Sequence, residues 1–339
     1  MSHRPDINAL PFDTGADMNV GVDMDVDMNV DDKVNRVDNE DTVELPLPEL
    51  FDFTVCLDYM ARSSSECLYR LHEAGVERLL PIGGKQRLIR ISCPPSTGKT
   101  GRLKLERLYG EPLTRRDQAE LARYVSDWFD LELDLAPFYR LGGEDPLLAP
   151  LIQRFHGLRI VGIPDLFEAL CWAIVGQQVN LAFAYTLKQR LTETYGTELI
   201  WAGNRYLMFP SAERLAQAPH EELCGLQLTR NKARAIAEVA ERLATGEVSR
   251  EGLLALGPQA ARERRMKLRG IGPWTADYVG MRCLQDRTAF PVADVGLQNA
   301  VRHMAGLDRK PTMAELAELS VPWAGWEAYA TFYLWRALY

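Results

Sequence analysis

The eleven residues from Leu268 to Tyr278, Leu-Arg-Gly-Ile-Gly-Pro-Trp-Thr-Ala-Asp-Tyr, constrain the fold of this chain more than any other stretch. Ala260 to Leu268 is rich in helix-favouring Ala, Arg, Met and Leu, and Trp274 to Cys283 resumes apolar spacing at Ala276, Val279, Gly280 and Cys283. The pattern predicts helix, tight hairpin, helix over about 260–283. Gly270 and Gly272 allow positive φ and close approach of another chain, and Pro273 suits a first helical turn, where its missing N–H is not needed. The second helix would offer free backbone N–H groups and the positive end of its dipole, which bind a phosphate without any Lys or Arg. Gly-x-Gly alone is equally an ordinary joint between packed helices. About twenty residues on, Phe290-Pro291-Val292-Ala293-Asp294 places one carboxylate at the start of a further helix expected over 295–304.

The run Leu268 to Ala276, with Asp294 at this distance, resembles the helix-hairpin-helix DNA glycosylase superfamily. Within it, the resemblance is to the inducible bacterial 3-methyladenine DNA glycosylases of the second type, which excise alkylated bases. Leu170 to Asn180, Leu-Cys-Trp-Ala-Ile-Val-Gly-Gln-Gln-Val-Asn, is similar to their Ala-Ile-x-Gly-Gln segment, and Trp323 to Ala330 extends the match toward the end. The resemblance spans about 160–339. It implies a mainly α protein with an N-terminal α+β domain and a helix-hairpin-helix glycosylase fold, whose cleft lies between helical subdomains. One of these would hold the hairpin, and the carboxyl-terminal helices would complete the other.

The resemblance also implies roles. Asp294 would be the catalytic carboxylate, although an N-cap is its ordinary reading and both can coexist. Neither Asp277 nor Asp286 matches the family position. Trp274, Tyr278 and Trp326 would be base-pocket aromatics, with Tyr59 joining them only across an alignment gap; Trp323, Phe332 and Trp335 read as core. Gln177 would sit beside the extruded base, while Gly270, Ile271, Gly272 and Thr275 would touch the DNA backbone. Gln178 falls where a wedge residue enters the duplex, and it departs from the apolar wedge of a relative.

Breaking an N-glycosidic bond builds positive charge on the sugar, so a carboxylate near the anomeric carbon and a route for water are needed. Relatives that also cut the backbone carry a Lys two residues after the second hairpin glycine, which forms a Schiff base with the sugar. Trp274 stands there, so the expectation is hydrolysis that leaves an abasic site with the strand intact. Alkylation at N3 or N7 makes a purine cationic, and stacking on electron-rich rings contributes about 0.5–2 kcal/mol per contact. The nucleotide must first flip out of the stack, at about a few kcal/mol. A glycosylase for oxidised or mismatched bases, or a non-catalytic helix-hairpin-helix DNA-binding protein, are the alternatives; Asp294 separates the second from an enzyme.

The net charge of -8 is unevenly spread. Residues 1 to 45 hold twelve acidic and three basic residues, leaving the remainder at +1. The acidic stretch repeats imperfectly at Asp17-Met18-Asn19-Val20, Asp23-Met24-Asp25-Val26 and Asp27-Met28-Asn29-Val30, and reads as a disordered acidic tail over 1–45. It lacks the Gly and closing Glu of a calcium loop. A near-neutral body can bind DNA through a local basic face and helix N-termini, although the overall charge gives no positive evidence for it; the resemblance implies double-stranded DNA containing alkylated bases as the partner. The six cysteines form no Cys-x-x-Cys pair and none follows Cys283, which speaks against a disulfide framework, a structural zinc or the iron-sulfur cluster of some relatives. No cofactor or metal is expected. With no run of eighteen apolar residues and no signal peptide at the start, the expected protein is a cytoplasmic, nucleoid-associated monomer with no membrane contact.

An α+β amino-terminal domain is expected over 46–155 and the helical region over 156–339. Pro46 and Pro48 mark the boundary; alternation at Phe51, Phe53, Val55 and Leu57 predicts a strand, followed by a helix near 64–74, strands near 87–92 and 102–108, and a capped helix over 114–129. Ser96 to Thr100, Ser-Thr-Gly-Lys-Thr, resembles a P-loop, but Cys93 occupies its first glycine position, and a hairpin loop with Lys99 near DNA is expected instead. Asn180 should cap a helix reaching about Tyr195, with further helices over 211–218 and 231–244. Lys232 and Arg234 at the last would be solvated or flank a phosphate.

Overall fold

The computed structural model describes residues 41–73, 75–95 and 101–338. The acidic repeat and the Ser96 to Thr100 segment lie outside the described residues.

The first half of the chain builds a five-stranded antiparallel sheet from β1 (Thr42–Pro46), β2 (Tyr69–His72), β3 (Gly75–Ile82), β4 (Lys85–Ser92) and β5 (Arg102–Tyr109). Its order is β1-β5-β4-β3-β2. β1 corrects the expected limit of the tail: Val43 pairs with Leu105, and both are buried. Pro46 closes β1 without penalty because this strand lies at the sheet edge, where a missing N–H breaks no ladder.

The strand expected over 51–57 is instead a helix, α1 (Phe53–Met60). Asp52 accepts from the Val55 amide at 3.1 Å and caps it, and Phe53, Cys56, Tyr59 and Met60 face the core at helical spacing. Each such burial contributes about 1.5–3 kcal/mol for a large apolar side chain. The helix expected near 64–74 gives way to a turn and β2. Three consecutive serines favour turns over helix, and the Glu66 carboxylate takes up the amides of Cys67 and Leu68 at 2.9 and 3.0 Å. β3 escaped the sequence reading because nearly every residue in it is buried, so it shows no alternation.

Helices follow. α2 (Arg115–Phe129) starts with a Thr114–Asp117 capping box and leads to α3 (Ala136–Glu144) and α4 (Ala149–Arg154). Next come α5 (Leu166–Gly176) and α6 (Leu181–Tyr195), the latter capped by Asn180 as expected. A hairpin that the sequence did not announce, β6 (Thr197–Trp201) and β7 (Asn204–Met208), turns through Ala202 and Gly203 at φ 47° and 75° and packs Tyr206 against Leu79 and Leu88 of the sheet. Then follow α7 (Ala212–Ala216), α8 (His220–Gly225), α9 (Arg230–Ala244), α10 (Arg250–Leu254), α11 (Pro258–Met266), α12 (Pro273–Cys283), α13 (Val295–Met304), α14 (Met313–Leu319) and α15 (Glu327–Arg336). None of the described helices is long and apolar enough to cross a membrane.

Two cores organise these elements. One joins the sheet and α1 to α4 with α13 to α15, bringing Tyr59, Trp128 and Phe138 together with Leu297, Trp323 and Phe332. The other is built from α5 to α12, including Leu170, Ile236, Ile271 and Val279. The carboxyl-terminal helices therefore return to the amino-terminal sheet. A cut at residue 155 separates pieces that share one core.

Candidate active site

At the hairpin, Leu268 and Ile271 drop into the second core, at 6% and 4% exposure. Gly270 makes the turn at φ 76°, and a Cβ there would lie 2.7 Å from the Ala235 Cβ of α9. Gly272 differs from the expectation. Its φ is -88°, and an added Cβ would meet nothing within 4 Å, so it leaves open space at the head of α12 rather than making the bend. Pro273 occupies N1, and the N–H groups of the first turn have no acceptor a turn back.

Gln177 is tied to this hairpin. Its Nε2 donates to the Gly270 carbonyl at 2.8 Å and to Thr275 Oγ1 at 2.9 Å. The amide expected beside an extruded base is thus turned toward the turn it braces, and Gln177 is not among the described residues lining the cleft. Thr275 and Ile271 are buried, which leaves only their main chain for an outside ligand. Lys232, expected in solvent, also points inward, donating to the Val175 carbonyl at 2.9 Å. Gln178 remains exposed at φ 54°, a left-handed conformation that costs a non-glycine residue about 1–2 kcal/mol.

Between the two cores opens a cavity of about 740 Å³. Its rim carries Gln178, Asn180 and Val295; Trp274, Trp335 and Asp294 stand half-buried on its walls; Tyr59, Trp172, Tyr278 and Arg282 form its buried floor. Asp294 does cap α13, its Oδ1 accepting from the Leu297 amide at 2.7 Å. The same carboxylate accepts from Trp335 Nε1 at 2.9 Å on Oδ1 and from Trp274 Nε1 at 3.0 Å on Oδ2. A carboxylate offers about four acceptor positions, so Oδ1 is filled and Oδ2 keeps one lone pair for the cavity. Asp277, by contrast, is committed to Arg262, and Asp286 to Thr288.

The aromatic walls differ from the expectation in one exchange. Trp326 is in the first core, 6% exposed, 5.8 Å from the Phe138 ring and beneath the Arg287 guanidinium at 4.9 Å. Trp335, read from sequence as core, takes the place expected for it. Nine residues separate the two, and α15 turns the later one outward. Trp274, Tyr278 and Trp335 form a row, with centroid spacings of 5.6 and 6.0 Å and interplanar angles of 33° and 35°. Tyr59 lines the floor, its ring 4.5 Å from Phe332. Burial raises the Tyr278 hydroxyl above its ordinary pKa, which keeps it protonated and able to donate at neutral pH. Arg282 and Trp172 escaped the sequence reading because a charged residue and an aromatic inside helices carry no periodic signal of their own.

Behind the floor lies a layer of buried charge joining the domains. Lys188 of α6 bonds both Glu66 oxygens at 2.9 Å and lies 3.7 Å from Glu168, which pairs with Arg78 of β3 at 2.5 Å. Among the described residues no group of three or more His, Cys, Asp or Glu side chains is placed to hold a metal ion.

Residues 171–324 match the HhH-GPD superfamily of base excision DNA repair proteins, and residues 63–170 match the 8-oxoguanine DNA glycosylase N-terminal domain. A DNA-3-methyladenine glycosylase of Bacillus subtilis is 42% identical over 299 residues, covering 88% of this chain and 98% of the relative. DNA-3-methyladenine glycosylase 2 of Escherichia coli is 26% identical, covering 84% and 93%. Among solved structures, the 3-methyladenine DNA-glycosylase from Archaeoglobus fulgidus superposes with a TM-score of 0.74 at 23% identity, over 86% of this chain and 97% of that one, and so shares the fold. With its hairpin, its two-core cleft and this degree of identity, the chain belongs to the family of the Bacillus subtilis DNA-3-methyladenine glycosylase, within the HhH-GPD superfamily of base excision DNA repair proteins.

Proposed function

We propose that this protein is a monofunctional DNA glycosylase that flips an alkylated base out of duplex DNA and hydrolyses its N-glycosidic bond, leaving an abasic site for base excision repair. The observation that carries the reading is Asp294 in the cleft, held by the indole of Trp274 at the position where a lyase would carry its Lys. In this mechanism the Asp294 anion stabilises positive charge growing on the sugar. The bonding pair leaves with the base nitrogen, water adds its hydroxyl to the anomeric carbon, and Asp294 Oδ2 takes the released proton. An alkylated purine enters as a cation and departs neutral, so the leaving group needs no protonation. Trp274, Tyr278, Trp335 and Tyr59 supply the walls of the base pocket.

The hairpin would hold a backbone phosphate through the N–H groups at the head of α12, with Gly272 as the open approach and Gly270 shaping the turn. Gln178 stands ready on the rim to enter the gap left by the flipped nucleotide. On this reading the protein acts as a monomer in the cytoplasm, associated with DNA, and catalysis needs no metal or cofactor.

The 8-oxoguanine-type amino-terminal domain favours one second reading, a glycosylase for oxidised bases. Incubating the protein with methylated DNA and with 8-oxoguanine duplexes, and separating the released bases by chromatography, decides between them. Asp294→Asn should lose base release by about a thousandfold or more while still binding duplex, on the scale of a lost electrostatic stabiliser. Strand cleavage without alkali, or an Asp294→Asn protein that releases bases at the parental rate, would refute the mechanism.

A further inference from the structure

Where α12 ends, one residue departs from the usual chemistry of a helix stop. Leu284 is the C-cap, and the Asp286 amide reaches back to the Gly280 carbonyl at 3.0 Å, so Gln285 fills the left-handed position of a Schellman turn at φ 52°. Glycine adopts that conformation without strain and is the common choice there, whereas a glutamine is strained. The side chain supplies the reason. Gln285 Nε2 donates to Asp130 Oδ1 at 3.0 Å, and Asp130 is itself left-handed, at φ 49° and 5% exposure.

Asp130 closes α2, and the last turn of that helix is bound on several sides. The buried Arg159 guanidinium donates to the Asp130 carbonyl and, at 2.8 Å, to that of Leu133. The Gly162 amide donates to the Trp128 carbonyl at 2.7 Å, and Asp127 pairs with Arg250 at 3.0 Å. From this fixed point the second Asp130 oxygen accepts from the Tyr329 hydroxyl of α15 at 2.5 Å. One carboxylate thus grips two separate elements. The connection from α12 to α13 delivers Asp294 nine residues after Gln285, and α15 delivers Trp335 six residues after Tyr329. The two meet again in the cleft, where Trp335 Nε1 donates to Asp294 Oδ1 at 2.9 Å.

We propose that Asp130 is a positioning residue for base release, acting through Gln285 and Tyr329 to set how Asp294 and Trp335 face each other; the inference rests on the base-excision reading above. Asp130 is not among the residues that line the cleft, so its influence runs through the two elements it holds. The strain at Gln285 fits this role, because a glycine would make the same turn and lose the tie. Stabilising charge on the sugar depends on a carboxylate held in place before the charge develops, so a small displacement of Asp294 lowers the rate without changing how duplex binds.

The test is Gln285→Gly, which relaxes the backbone and removes the tie. If the tie served stability alone, this variant would release bases at the parental rate per folded molecule. The positioning role predicts that single-turnover release from DNA methylated with dimethyl sulfate, at saturating protein, slows about fivefold, the scale of one hydrogen bond. The urea midpoint and the affinity for an abasic duplex should stay at the parental values. Tyr329→Phe cuts the other arm and should slow release to a similar degree, and its effect should shrink in a Trp335→Phe background because both changes act on one contact. Parental release by Gln285→Gly, a loss explained by folded fraction or duplex affinity, or Tyr329→Phe and Trp335→Phe effects that simply multiply, would each overturn the positioning role. A parent protein that releases no methylated base overturns the glycosylase reading itself; an active parent matched by its variants overturns this inference alone.

Discussion

The two hairpin glycines are chemically identical and only two residues apart, yet differ in role, which makes them a sharp pair to perturb. Gly270→Ala puts a side chain on a residue at φ 76° and drives its Cβ to 2.7 Å from the Ala235 Cβ, an atom fixed to the α9 backbone. The left-handed conformation costs an alanine about 1–2 kcal/mol. Relieving the clash requires the hairpin to move off α9, for about 1–3 kcal/mol more, so the expected destabilisation is about 2–4 kcal/mol. Gly272→Ala keeps a φ of -88° that any residue adopts and meets nothing within 4 Å, so only the poorer cap matters, at about 0.5 kcal/mol. Binding should invert the order. The Gly272→Ala methyl stands in the space left open before the α12 amides, and losing that phosphate contact should weaken duplex binding about tenfold. Urea unfolding followed by tryptophan fluorescence measures the first effect, and fluorescence anisotropy with a labelled abasic duplex measures the second. A Gly270→Ala protein within 0.5 kcal/mol of the parent, or a Gly272→Ala protein that binds DNA at parental strength, would refute this division of labour.

Trp335→Phe keeps an aromatic, though smaller, ring in the wall and removes one N–H from Asp294 Oδ1; a hydrogen bond to a charged group is worth about 1.5–3 kcal/mol, so single-turnover base release should slow by about 10- to 100-fold. Trp326→Ala should destabilise the protein by about 3–5 kcal/mol in thermal or urea unfolding while leaving base release per folded molecule near the parental value, because this ring is in the core. Lys188→Met leaves the buried Glu66 carboxylate without its cation, while Glu168 keeps Arg78, and should cost about 3–5 kcal/mol of unfolding free energy at neutral pH. The pH dependence has a definite sign. Burial alone would raise the Glu66 carboxyl, but the Lys188 charge and hydrogen bonds outweigh it and hold the group below its ordinary 4.5. That stabilisation is present above pH 4.5 and is lost as pH falls through the lowered value, so the Lys188→Met deficit should shrink in acid unfolding curves.

The parts of the fold legible in the sequence were those with local causes. Asn180, Thr114, Ser211 and Asp294 each accept from a backbone amide three residues on, and the helices they open begin where such caps predict. The hairpin was legible because Gly270 and Pro273 are demanded by backbone geometry. What was not legible depended on partners far along the chain. Phe51 to Leu57 carries a strand-like alternation, and only packing against Phe129 and the first core selects the helix. β3 is covered on both faces and so loses its alternation. Within the site, Asp294 and Trp274 were singled out by the family resemblance, and both line the cleft, whereas the exchange of Trp326 for Trp335 depends on which way α15 is rotated against α13, and one aromatic residue looks like another until that rotation is known. Gln177 was expected beside the extruded base, and its amide instead faces the hairpin, since an amide can face either a ligand or a neighbouring carbonyl.

The two indoles on Asp294 come from opposite banks of the cleft. Trp274 belongs to the bank packed on α5 and α9, while Trp335 rides on α15 beside α13. One carboxylate is thus a tie rod, and the width of the cleft is held in part by the atoms that would do the chemistry. A change that spreads the banks, even in the distant sheet, would stretch the Trp274 bond to Asp294, which crosses from α12 to the head of α13. Losses of activity at remote positions would then report gap width, read out through the acid that does the chemistry.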